Sequence, residues 1–295
     1  MNTLHILAVD QRPWLTNALF GHKGKASPEE RGICAEIKHA TLDGLIQATQ
    51  SGRVPSPAIL VDPELGTGVP ERATAHGVPL ILPIEKAGLK LYETEPGNLV
   101  DYLSHYTPEY AKVLVRYNPA DPKADRAEQR SRLARASKDA RDAGCKFLFE
   151  LLVPPTKEQL RTVHGNLQRY EAELRPELTR EAMSEIYSDV EIDIWKLEHQ
   201  GTLESTKKTV ALADSQSTGC VLLGAGADIE TVNSWLKIAA QAGFVGFAIG
   251  RSIWWQAAQH LTKSVSDPTV MARARTRIAS SYLGFVDIFE SAKPE

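Results

Sequence analysis

Lys196 is the residue with the most chemistry to offer. It lies in Ile192-Asp193-Ile194-Trp195-Lys196-Leu197-Glu198, an apolar run with the character of a buried strand. An ammonium ion is expensive to bury in such a place. The cost is tolerable where the amine acts, because desolvation lowers an amine's pKa and frees a nucleophilic lone pair. Taken alone, the segment favours a plainer reading: a lysine reaching the wet end of its strand, or pairing with Glu198. Its company reverses that balance.

Polar residues recur at the ends of the other apolar runs. Asp10-Gln11-Arg12 ends the first, Glu85-Lys86 the third; Lys112 and Arg116 belong to the fourth and Glu150 to the fifth. Side chains alternate across a strand, so Lys112 shares a face with Arg116, and Lys196 with Glu198. The seventh run ends in Gly224-Ala225-Gly226-Ala227 and the eighth in Gly250-Arg251-Ser252. Small residues ahead of a helix let backbone N–H groups approach an anion, and a guanidinium suits phosphate. Gly224, Ala225, Gly226, Gly250 and Arg251 are therefore the phosphate-site candidates. Tight turns alone would also account for the glycines. A dinucleotide fingerprint is absent, since Ile229 stands where a third glycine belongs.

A buried lysine beside carboxylates and a phosphate cradle points to Schiff-base chemistry on a phosphorylated keto sugar. Lys196 is expected to attack the carbonyl and form an iminium, which draws electrons from a neighbouring C–C bond. Lys112 is expected to depress the pKa of Lys196 by like-charge repulsion. Glu150 is the candidate general acid/base. Asp10, Gln11 and Glu85 are expected to hold sugar hydroxyls, with Arg116 and Glu198 also lining the substrate. This chemistry calls for no metal and no cofactor. The eight histidines form no H-x-x-x-H pair, and no G-x-S-x-G elbow occurs. Gly21-His22-Lys23-Gly24-Lys25-Ala26 is only superficially like a P-loop. His199 could carry a proton, though a lone loop histidine is more often inert.

These residues must be positioned by the elements between them. Eight apolar runs read as strands: Leu4–Asp10, Ala58–Asp62, Pro79–Ile84, Ala111–Tyr117, Phe147–Val153, Ile192–Glu198, Cys220–Gly224 and Gly246–Gly250. Between them lie helical patterns over Glu29–Gln50, Asp125–Ala143, Arg180–Ser188, Leu203–Ser215 and Ile229–Ala242, with Gly144 and Gly243 placed as C-terminal caps. This alternation predicts an α/β fold, a (β/α)8 TIM barrel forming a single domain over 1–295, with its site at the C-terminal ends of the strands. A doubly wound sheet would announce itself with a glycine-rich turn after the first strand. The arginines of 126–141 alternate with Glu128, Asp139 and Asp142, as on a solvated helix.

With 295 residues and a formal charge of −3, the chain has room for a large core and no electrostatic reason to bind nucleic acid or a membrane. No stretch approaches the roughly 20 apolar residues of a spanning helix, and the N-terminus lacks a signal-peptide pattern. Cys34, Cys145 and Cys220 are odd in number and widely spaced, which suits a reducing cytoplasm. A homo-oligomer is expected. Trp254, Trp255 and the run Tyr282–Phe289 could form a subunit interface or pack over the last barrel helix.

Segments spread over nearly the whole chain carry a family resemblance. They are Val9-Asp10-Gln11-Arg12, Ile84-Glu85-Lys86, Lys112–Pro119, Phe149–Pro155, Asp193–Glu198, Leu222-Leu223-Gly224 and Gly246–Trp254. The chain resembles the class I aldolases related to tagatose-1,6-bisphosphate and sulfofructosephosphate aldolase. It is more similar still to the aldolase-like domain fused to the sugar kinase of bacterial inositol catabolism. The resemblance implies Lys196 as the Schiff-base lysine, Lys112 and Glu150 as its assisting pair, and Asp10, Gln11 and Glu85 lining the site. It also implies cleavage of 5-dehydro-2-deoxy-gluconate 6-phosphate to dihydroxyacetone phosphate and malonate semialdehyde. The other bisphosphate or sulfosugar substrates, proton transfer without an imine, and a non-catalytic sugar-phosphate sensor are the alternatives.

Overall fold

The computed structural model describes residues 3–262 and 264–294; residues 1, 2, 263 and 295, which the expected 1–295 domain includes, lie outside the described residues. Eight strands run β1 Leu4–Val9, β2 Pro57–Val61, β3 Leu80–Pro83, β4 Tyr110–Arg116, β5 Lys146–Leu152, β6 Ile194–Leu197, β7 Gly219–Leu223 and β8 Gly246–Ile249. Each pairs in parallel with the next, and β1 pairs with β8 to close the barrel. The (β/α)8 expectation holds. Strand ends differ from the sequence reading by a residue or two, as ladder ends usually do.

Strand alternation builds two layers. Leu4, Ile6, Ala8, Ala58, Leu60, Ile81, Tyr110, Leu148, Ile194, Val221 and Ala248 pack together inside the barrel. Their neighbours Leu7, Val9, Ile59, Leu82, Phe147, Phe149, Trp195 and Phe247 join the larger core beneath the helices. Following the inner set two residues onward gives Asp10, Asp62, Lys112, Glu150, Lys196 and Gly250, with Glu85 four residues beyond Ile81. The inner face is thus apolar below and charged at its C-terminal end.

Among the described residues twelve helices cover the strands: α1 Pro13–Phe20, α2 Pro28–Thr49, α3 Val69–Ala75, α4 Leu99–Tyr106, α5 Lys123–Asp142, α6 Lys157–Thr162, α7 Leu167–Arg169, α8 Arg175–Tyr187, α9 Leu203–Ser215, α10 Ile229–Ala242, α11 Arg251–Leu261 and α12 Pro268–Ser291. A π-helical turn over Tyr170–Leu174 joins α7 to α8. Ser27 and Glu30 form a reciprocal capping box at the start of α2, with Pro28 in the first turn. Gly44 lets α2 lie close on α12: a Cβ there would stand 2.5 Å from an Ile278 methyl. Tyr282, Phe285, Val286 and Phe289 of α12 point into the core, and Trp254 is fully buried. Of the two roles open for this aromatic run, packing against the barrel is therefore the one observed. Arginines of α5 pair with Glu128, Glu185, Asp189, Glu191 and Asp193, as a solvated helix should. All three cysteines are buried free thiols. Among the described residues no helix is long and apolar enough to cross a membrane.

Candidate active site

Lys112 is the hub of the charged end. Its ammonium lies 2.9 Å from Asp10 Oδ2, 3.0 Å from Glu85 Oε1 and 2.9 Å from Glu150 Oε2. The same Glu150 oxygen is 2.9 Å from Lys196 Nζ, and Glu150 and Lys196 are register partners across β5 and β6. Arg12 donates to the Glu85 carbonyl at 2.8 Å and stands 3.8 Å from its carboxylate. Three acids and three bases thus alternate in one buried chain of contacts. Asp10, Lys112, Glu150, Lys196 and Glu85 come together as the sequence suggested.

Burial opposes every charge in the cluster, and the partners decide which charges survive. Asp10 is desolvated, yet Lys112 and Lys196 outweigh burial and hold its carboxyl well below the usual range. The same two lysines outweigh burial at Glu150 and keep it ionised. For Lys112, burial is overcome by Asp10, Glu150 and Glu85, which raise its pKa well above normal. Glu85 behaves differently: burial wins over Lys112 and Arg12, and its pKa rises. Lys112 lies among three carboxylates, and the group touching Lys196 is one of them, Glu150.

A second buried pair stands beside the first. Lys38 of α2 is wholly buried, forms an ion pair with Asp62 and donates to the Gln11 carbonyl at 3.3 Å. Asp62 also accepts from the Leu65 N–H at 2.8 Å. The sequence reading overlooked both residues. Gln11 donates weakly to Asp10 at 3.5 Å, while its Oε1 and Glu85 Oε2 are buried with no protein partner. Such acceptors are costly to leave unmet.

One expected substrate residue, Glu198, points elsewhere. Glu198 lies past the end of β6 and turns to Arg175 of α8, 3.0 Å away, rather than joining Lys196. Arg175 is buried and needs a counter-charge, which explains the diversion. His199 stacks on Trp235 and is driven by burial to a pKa of about 4, so it is no proton carrier near neutrality. Arg116 reaches the rim as an exposed side chain lining a cavity of about 450 Å³ with Lys90, Tyr117 and Arg126.

The candidate anion end needs revision too. The α10 N-terminus is occupied by its own cap: Asp228 accepts from the Thr231 N–H at 2.9 Å and from its hydroxyl at 2.7 Å. A carboxylate there repels the phosphate expected at the helix end. Gly224 is buried, while Ala225 and Gly226 form a left-handed turn with φ of 51° and 76°. Arg251 lies on that turn, its Nη2 donating to the Ala225 carbonyl at 2.6 Å. A Cβ at Gly226 would be 2.5 Å from the guanidinium carbon and would displace it, and the φ of 76° favours glycine. The α11 N-terminus, beginning at Gly250, has no side-chain cap. The candidate anion elements thus narrow to Gly250, Arg251 and the turn beneath it. Burial lowers the Arg251 pKa, with Glu150 and Asp10 acting against that. Among the described residues no group of three or more His, Cys, Asp or Glu side chains is arranged to hold a metal ion.

A family model described as "Uncharacterized protein conserved in bacteria (DUF2090)" matches residues 1–293. The chain belongs to the DUF2090 family. No curated protein matches this DUF2090 member. Among solved structures it is similar to a fructose-bisphosphate aldolase from Plasmodium falciparum, in ternary complex with TRAP and an inhibitor, with a TM-score of 0.66 at 12% identity over 100% of this chain and 92% of that one. An archaeal fructose-1,6-bisphosphate aldolase, with its catalytic Lys covalently bound to the carbinolamine intermediate, matches with a TM-score of 0.57 at 15% identity over 96% and 95% of the two chains. A Schiff-base-forming fructose-1,6-bisphosphate aldolase matches with a TM-score of 0.55 at 15% identity over 90% and 93%. At these identities the likeness establishes a shared barrel fold.

Proposed function

We propose that this chain is a class I aldolase that cleaves a phosphorylated keto sugar or keto acid through an imine on Lys196. The observation carrying this reading is a buried lysine at the mouth of a barrel, 2.9 Å from a carboxylate that a second lysine holds ionised. The archaeal neighbour, described with its catalytic Lys bound to a carbinolamine, supports the same chemistry here.

Glu150, held as a carboxylate, enters as a base. It takes a proton from Lys196, and the free amine adds to the substrate carbonyl to give a carbinolamine. Returning that proton to the carbinolamine hydroxyl expels water and leaves a protonated imine. Glu150 then accepts the proton of the hydroxyl β to the imine carbon. The bond between the α and β carbons breaks, its electrons flowing into the imine to form an enamine, and an aldehyde departs. Protonation of the enamine carbon and addition of water release the ketone and restore the amine. Asp10, Gln11 and Glu85 supply acceptors for substrate hydroxyls, and Arg251 receives the phosphate.

Arg116 favours a second anionic group on the substrate. It stands on β4, halfway round the closed ring from β8, where Arg251 follows; β6 and Lys196 lie midway between. The ring is roughly 15 Å across between strand backbones, which suits a short chain carrying a phosphate at one end and an anion at the other. 5-Dehydro-2-deoxy-gluconate 6-phosphate has that form. Tagatose-1,6-bisphosphate and sulfofructose phosphate are the comparison substrates.

The test is intact mass after borohydride reduction in dihydroxyacetone phosphate, on wild type and Lys196→Ala. An adduct in the wild type alone is expected. Its absence from wild type would count against imine chemistry on this donor.

A further inference from the structure

We propose that Trp14 is a positioning residue for the anion site, clamping the Arg251 guanidinium against the Gly226 turn in the orientation that receives the substrate's phosphate. The proposal rests on Arg251 as the anion-binding group in the reading above.

Arg251 is set apart by what it lacks. Arg12 and Arg175, the buried arginines near the barrel mouth, each face carboxylates: Glu85 and Glu95 for the first, Glu171 and Glu198 for the second. Arg251 is half-buried, yet among the described residues no carboxylate lies within ion-pair distance. A partly desolvated guanidinium left unpaired has room for an anion. Its orientation is nevertheless fixed from two sides. The Ala225 carbonyl and the bare Gly226 Cα hold one side. The Trp14 ring holds the other, with the guanidinium carbon 4.8 Å from its centroid.

Trp14 is itself braced. It meets Trp255 edge-on at 4.9 Å and Trp254 at 6.4 Å, and Trp254 is anchored by its indole N–H to the Ala8 carbonyl at 2.9 Å. The indole is still 38% exposed, unusually open for so large an apolar group. A ring braced on its edges and stacked on a cation keeps the guanidinium's hydrogen-bonding edge free for a ligand. Trp14, in the first turn of α1, also follows closely on Asp10 and Arg12. The same five residues therefore reach both the amine cluster and the anion site, and would set the distance between the reacting carbonyl and the phosphate.

The experiment measures binding of inorganic phosphate by calorimetry for wild type, Trp14→Leu, Trp14→Phe and Arg251→Ala, with the Trp14 contribution to fluorescence followed in parallel. Steady-state kinetics on the phosphorylated substrate accompany it. Trp14→Leu is expected to weaken phosphate binding about tenfold and to raise KM similarly, with kcat within about twofold of wild type. Trp14→Phe, which keeps an aromatic face, should recover most of the loss. If Trp14→Leu binds phosphate normally while Arg251→Ala does not, the clamp is wrong and the anion site stands. If Leu and Phe variants are equally weak, Trp14 acts only as packing and the clamp is again wrong. If Arg251→Ala binds phosphate as wild type does, the anion site itself is misassigned.

Discussion

Lys112 and Lys196 are bridged by a single oxygen of Glu150, 2.9 Å from each. Two ammonium groups on one carboxylate oxygen keep that carboxylate charged and fix where it points. Glu150→Gln keeps the shape and removes the proton acceptor. Its kcat is expected to fall by about 10²–10⁴-fold, with little change in KM, in a steady-state assay with the cleavable keto sugar phosphate. A loss of less than tenfold would remove Glu150 from the proton-transfer role.

Lys112 faces three carboxylates, so its removal is a matter of stability before catalysis. Lys112→Met leaves Asp10, Glu85 and Glu150 facing one another without their shared cation. Breaking a buried charge group in this way costs about 3–5 kcal/mol. Urea unfolding at neutral pH should show it as a lower midpoint, and acidification should narrow the gap as the carboxylates protonate. A midpoint equal to wild type would mean that the carboxylates find other partners.

The Lys38–Asp62 pair makes a parallel case outside the reacting groups. Lys38→Met should be strongly destabilising because Asp62 is left buried and charged. Adding Asp62→Asn should recover much of that loss, since the orphan charge is gone and the amide can still accept from Leu65. A double variant no more stable than Lys38→Met alone would show that the two residues act independently.

His5 sets a pH dependence at the opposite end of the barrel. It is fully buried; burial lowers its pKa from 6.5 to about 4, the nearby Glu290 notwithstanding. Between those values the unfolded chain holds a proton that the folded chain refuses. Stability is therefore lost as pH falls from 6.5 towards 4, by on the order of 3 kcal/mol for this one group. Below about 4 it changes no further on this account. The difference in unfolding free energy between wild type and His5→Gln, measured from pH 7 to 4, should carry that slope. A flat difference would reject the assignment.

Arg116 is exposed, and the proposed second anion would make it a matter of substrate choice rather than chemistry. Arg116→Ala should raise KM for a doubly anionic substrate while leaving kcat and stability nearly unchanged. Equal KM values before and after the change would take the second anion away from β4.

Much of this site is legible in the chain because strands alternate strictly. Inner residues Ala8, Tyr110, Leu148 and Ile194 are each followed two positions later by Asp10, Lys112, Glu150 and Lys196, so parity alone aims those side chains inward. Asp62 obeys the same rule after Leu60 and could have been found by it. Lys38 is harder to find: it lies on the buried face of α2, four residues from Cys34 and from Leu42, and only the fold brings it to Asp62. Glu198 has the right parity but the strand stops at Leu197, and the loop then obeys Arg175. Asp228 reads as a helix N-cap and takes that place in the fold, where it is a poor neighbour for an anion. Trp14 drew no notice in the sequence, and it meets Arg251 only because β8 lies next to β1.

That last adjacency, β1 against β8, also governs how the protein is made. The first strand cannot be paired on both sides until the last has been synthesised. During translation it remains an open edge, able to pair with another chain. Barrel closure joins Leu4 to Gly246, far apart along the chain, so it is slow by the logic of contact order. A nascent chain stalled before β8 would expose that edge, and its yield should depend on chaperones in a way that the finished ring does not.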